Sequence, residues 1–165
     1  MVTQSEFRGI VPSPNIEELI QKELAKLLGN SDTGLPFVDS KRIDEIASIQ
    51  SNDYDFSKLV ALCNELNIAY ISARYFSVVM LGRAILDHVP PLFSVRTFKE
   101  VVNNYGGTKS FKASIDHLDN SLRKIADAHL HTPIRKSESL PSQVQVNYSQ
   151  DLDVLLAEII RVHKN

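Results

Sequence analysis

The stretch "SLRKIADAHLHTPIRKSESLP", residues 121–141, gathers the side chains best suited to phosphodiester chemistry. Arg123 and His129 are separated by five residues, with Asp127 between them and His131, Arg135 and Lys136 just beyond. Metal-independent RNA cleavage needs a group of near-neutral pKa to move the 2′-hydroxyl proton, and cations to steady the charge that builds on phosphorus. Histidine and arginine fill those two roles. Arg135 and Lys136 add phosphate contacts, and Asp127 is placed to orient a histidine or to hold Arg123. At about 100° per residue, Arg123, Asp127 and His131 fall within roughly 80° of helical arc, whereas His129 lies about 120° from Arg123. Because Pro133 closes the helix nearby and helix ends fray, either histidine is a candidate proton carrier.

A structural alternative exists for each of these residues. Asp119, Arg123 and Asp127 at successive fours form an ordinary ion-pair ladder on a solvated helix face. His129 fits a core position, and His131, Arg135 and Lys136 complement the negative end of a helix. A second arginine–histidine spacing, Arg83 and His88 in "GRAILDHVPP", places Arg83 one turn from Asp87. That spacing predicts an ion pair, with Arg83 as a secondary site and Arg74 as an interface residue.

Other chemistries find little footing. The pair "HLH" sets two histidines on different faces with no third ligand nearby, so neither a metal nor another cofactor is expected. "NNYGGTKSF" lacks the spacing and the preceding strand of a phosphate loop. Cys63, the only cysteine, excludes an intramolecular disulfide and has no basic neighbour to activate it.

The elements that position these residues read as helices. With 165 residues, 43% hydrophobic and 23% charged, the chain has the composition of one globular core, and a net charge of −2 restricts any polyanion contact to a local basic patch. "SPNIEELIQKELAKLLGN" predicts a first helix, capped at Ser13 and stopped at Gly29, within an N-terminal helix and arm over residues 1–40. Residues 41–165 are expected to form the helical bundle. Asp39 caps a short helix through Ile49. Phe56 to His88 predicts two helices divided near Asn64 to Asn67, the second ended by Pro90 and Pro91. "IAYISARYFSVVMLGRAILDH" is apolar almost all round, as in the central helix of a bundle or a helix at a subunit interface. Its two arginines argue for a buried helix over a membrane span. "SVRTFKEVVNNY" predicts another short helix. Lys109 to about Leu130 forms a further helix, with Phe111, Ile115, Leu118, Leu122, Ile125 and His129 on one seam. Val144, Val146 and Tyr148 alternate like a short extended segment. A last helix, capped at Ser149, turns Leu152, Leu155, Leu156, Ile159 and Ile160 inward. The fold class is therefore a mainly α bundle of five to seven helices with one short extended segment before the last. The N-terminal stretch "MVTQSEFRGIVPSPN" lacks the apolar core of a secretory signal, and a single cysteine suits a reducing cytoplasm.

On these residues the chain resembles the HEPN superfamily. "LRKIADAHLH" is similar to the "LRN…GDAHG" pattern of the C-terminal domain of some abortive-infection proteins. Arg123 matches the motif arginine, Asp127-Ala128-His129 match "DAH", and the apolar helix from Leu152 matches the closing helix. The resemblance implies a bacterial metal-independent ribonuclease of a toxin or phage-defence system. It also implies a homodimer in which two motifs face one cleft, with RNA as substrate and a protein partner such as an antitoxin. Lys124, Arg135, Lys136 and Arg83 would then bind substrate. The second functional expectation is a non-catalytic helical module that binds a protein or nucleic-acid partner through the same face.

Overall fold

The structure, a computed structural model, describes residues 35–164. The first predicted helix, within residues 13–29, lies outside them. Among the described residues there are helices and turns but no strand. Helix α1 spans Ser40–Ala47, α2 Ser57–Ile71, α3 Tyr75–His88, α4 Phe98–Asn104, α5 Lys109–His117, α6 Arg123–Leu130 and α7 Ser149–His163. A π turn over Leu118–Leu122 joins α5 to α6 without a break, so the seven segments make six helical rods.

Local chemistry sets most of the boundaries. Asp39 caps α1 by accepting a hydrogen bond from the Lys41 amide at 2.8 Å. Thr97 and Glu100 form a reciprocal capping box at the start of α4, and the Thr108 hydroxyl caps α5. Pro90 and Pro91 end α3 and open a single 3₁₀ turn, Pro90–Phe93.

The break between α2 and α3 falls at Ser72 to Arg74, later in the chain than the asparagines near residue 64 predict. Asn67 is no helix breaker here. Its side chain accepts a hydrogen bond from the Val38 amide at 2.7 Å and donates one to the Val38 carbonyl at 2.8 Å, pinning the entering chain onto α2. Helix α2 ends instead on Ala73, whose φ of 52° is left-handed. The Ala73 amide donates to Tyr70 and the Arg74 amide to Ala69, the paired bonds of a Schellman cap. Alanine in the position that usually takes glycine costs about 1 kcal/mol, and no glycine marks the turn.

The bundle core follows the predicted stripes. Leu59, Cys63 and Leu66 of α2, Val78, Val79, Ile85 and Leu86 of α3, and Leu152, Leu155, Leu156 and Ile159 of α7 are buried. Helix α2 packs on α3, α5 on α7, α1 on both α2 and α7, and α3 on α6. Helix α3 with its 3₁₀ turn is long and apolar enough to cross a bilayer by length and composition, yet its inner residues are buried among the other helices as in a core helix.

Between α6 and α7 the chain is non-helical as predicted, but Val144 lies in a turn over residues 143–146 rather than in an extended run. Amides bond locally here, Val146 to Ser142 and Asn147 to Val144. Val146 and Tyr148 point into the core while Val144 is exposed. The Tyr148 hydroxyl donates to the Val78 carbonyl at 2.7 Å, and its ring meets Phe37 edge to face. Those contacts anchor the long connection to α3.

Candidate functional site

The π turn decides which residues of "SLRKIADAHLH" share a face. Its i→i+5 hydrogen bonding delays the helical phase by about one residue relative to a regular helix. Leu118, Asp119 and Leu122 are all buried at the turn. Beyond it Ala126 takes the buried position, and Ile125 and His129 on the predicted seam are only partly buried. The functional residues therefore sort onto two neighbouring strips of the α5–α6 rod.

On the first strip charges alternate in an unbroken chain. Lys99 Nζ lies 3.5 Å from Asp119 Oδ2, and Arg123 Nε donates to Asp119 Oδ1 at 2.9 Å. Arg123 Nη2 reaches Asp87 Oδ1 at 3.5 Å, Arg83 Nε donates to Asp87 Oδ2 at 2.8 Å, and Arg83 Nη1 donates to Asp127 Oδ1 at 3.0 Å. The predicted Arg83–Asp87 pair is present. The predicted ladder is present only in its first rung, since Asp127 turns to Arg83 of α3 instead of Arg123. Asp119 is 6% exposed, so this pair is partly desolvated rather than a free surface contact. Burial opposes charge on Arg83, but the hydrogen bonds it donates to Asp87 and Asp127, with the attraction of those carboxylates, outweigh it and raise the guanidinium above its ordinary value. The network ties α3, α4 and α6 together and leaves Arg123 engaged by two carboxylates.

On the second strip Lys124, Ile125, Ala128 and His129 form one wall of a surface cleft of about 580 Å³. Phe76 at the start of α3 and the connection after α6, including Ile134, Arg135 and Leu140, supply the rest. His129 lies against Phe76, ring centroids 5.1 Å apart and planes at 75°. The connection is built to present Arg135. Thr132 donates its hydroxyl to the Ala128 carbonyl and closes the helix, and the Arg135 amide donates to Glu138 Oε1 at 2.5 Å. Arg135 Nη2 then donates to the Thr132 hydroxyl at 3.3 Å, which directs the guanidinium back toward the helix end. Lys124 and Arg135 have no acidic ion-pair partner within 4.0 Å among the described residues, although Glu138 shares the cleft wall.

The structure thus brings Lys124, His129 and Arg135 into one cleft, and Arg83, Arg123 and Asp127 into one ion-pair network. His131 sits one residue past α6, exposed, and Lys136 is exposed on the connection; neither lines the cleft. Arg74 is exposed before α3. His88, at the end of α3, is lowered in pKa by burial and by Lys58. Burial pushes the Cys63 thiol up to about 12, so it has no thiolate character at neutral pH. Sequence reasoning missed Phe76 and Gln145, which left no signal. Asp119 was expected beside Arg123 from its four-residue spacing, and that pair is present. No protein-family model, curated protein or solved structure matches the chain.

Proposed function

We propose that the chain is a metal-independent ribonuclease of the HEPN type that takes its RNA in the cleft at the end of α6. The observation that carries this reading is the shared cleft of Lys124, His129 and Arg135: two cations and an imidazole lining one cleft. In the reaction His129 accepts the 2′-hydroxyl proton as the 2′-oxygen attacks phosphorus. The bond from phosphorus to O5′ breaks, and O5′ takes up a proton from water. The products carry a 2′,3′-cyclic phosphate and a 5′-hydroxyl. Lys124 and Arg135 steady the charge on the pentacoordinate phosphorus. Arg123 acts as a positioning residue, holding α6 against α3 and α4 through Asp87 and Asp119. A place in a toxin or phage-defence system in the bacterial cytoplasm follows from the same resemblance, as does an antitoxin-like partner. Exposed Phe76, Ile134 and Leu140 lining the cleft support a homodimer that would close it.

One observation favours a second reading. Arg123 is held by two carboxylates, which suits a module that binds RNA without cutting it. Incubation with mixed single-stranded RNA and tRNA in excess chelator separates the two. Cleavage leaving 2′,3′-cyclic phosphate ends is the expected result. Binding without cleavage selects the second reading, and RNA that is neither bound nor cut overturns both.

A further inference from the structure

Phe76 is an anomaly on its helix. The inner residues of α3 are packed into the core, but Phe76 remains 46% exposed, its ring against that of His129 and its side chain lining the cleft. A part-exposed aromatic side chain in a cleft with two cations is the arrangement that takes a nucleobase and its phosphates together. Gln145 also lines the cleft, and its Oε1 accepts hydrogen bonds from the Ser142 amide at 2.9 Å and the Ser142 hydroxyl at 3.3 Å. Those two bonds fix which end of the amide is oxygen. The remaining Nε2 has no hydrogen-bond partner among the described residues and stands at the cleft wall as a spare donor.

We infer that the cleft holds one unpaired nucleobase, with its face on Phe76 and an edge acceptor on the Gln145 amide, so that both residues determine specificity. This rests on the RNA reading of the cleft. Base faces in a duplex are covered by their neighbours, so a platform of this kind selects unpaired strands. At about 580 Å³ the cleft is within the range of small-ligand sites and has room for a nucleotide. Lys124 and Arg135 supply the matching positive charge, which makes a polyanionic strand a better occupant than an apolar peptide.

The test is fluorescence anisotropy with a labelled short RNA, the same RNA annealed to its complement, and a version with abasic positions. Wild type is expected to favour the single strand at least about tenfold over the duplex and over the abasic strand. Phe76→Ala should weaken single-strand binding roughly 5- to 100-fold and leave duplex binding unchanged, whereas Phe76→Trp should retain it. Gln145→Leu should weaken the single strand without changing the duplex. Circular dichroism melting checks that each variant is folded. If wild type binds RNA but Phe76→Ala binds the single strand equally well, or loses both forms alike, the base platform is overturned and the RNA reading stands. If wild type binds none of the RNAs, both fall.

Discussion

Replacing His129 by alanine is expected to slow RNA cleavage roughly 10²-fold or more while RNA binding persists. The imidazole lines the cleft together with Lys124 and Arg135, so its loss removes the proposed proton carrier and spares the phosphate contacts. The same geometry ranks the neighbouring positions. His131 is exposed beyond the end of α6 and lines no part of the cleft, so His131→Ala is expected to cleave at close to the wild-type rate. Arg123→Ala acts differently. It leaves the buried Asp119 carboxylate with Lys99 at 3.5 Å as its remaining cation, and its first effect is on stability. Cleavage rate per folded molecule, measured for all three variants, checks the assignment. A normal rate in His129→Ala together with a collapsed rate in His131→Ala would move the proton carrier to the helix end.

Gly82→Ala is expected to cost about 3 kcal/mol of stability, the largest effect foreseen for the fold. A β-carbon there would press on the Tyr148 hydroxyl, 2.9 Å from its Cζ and 3.0 Å from Leu122 Cδ2. Neither neighbour yields cheaply. Leu122 is fully buried in the π turn, and Tyr148 donates its buried hydroxyl to Val78 while packing against Phe37. Moving Tyr148 breaks a buried hydrogen bond and loosens the connection that carries Arg135 to the cleft. Denaturant unfolding measures the change, and a shift below about 0.5 kcal/mol would show that the α3, π-turn and Tyr148 contact is less tight than described.

The apolar stripes that build the bundle were legible because they obey a regular helical period. The inward face of α7, the single rod from Lys109 to Leu130, the Asp39 cap and the Arg83–Asp87 pair all follow from spacing alone. What was illegible breaks that period or depends on distant contacts. Ala73 adopts a left-handed cap without a glycine to announce it. The π turn delays the phase after Leu122, which moves His129 off the core seam. Asn67, a helix breaker by type, is held in α2 by Val38, far away in sequence. The turn at residues 143–146 hides behind an alternation that only Val146 and Tyr148 obey. Regular-helix geometry grouped Arg123 with Asp127 and His131. The structure gives Arg123 and Asp127 to α3, and it assembles the cleft from Lys124, His129 and a loop arginine.

Salt dependence of RNA binding tests the central claim, that an RNA strand lies in this cleft, most directly. Each phosphate neutralised on a single strand contributes about −0.7 to the slope of log affinity against log salt. Wild type should therefore bind a short single-stranded RNA with an affinity that falls as salt rises. The double variant Lys124→Ala with Arg135→Ala should bind more weakly, with a slope shallower by roughly 1.4. A folded double variant with wild-type affinity and an unchanged slope would contradict the claim, because the RNA would then be held somewhere else.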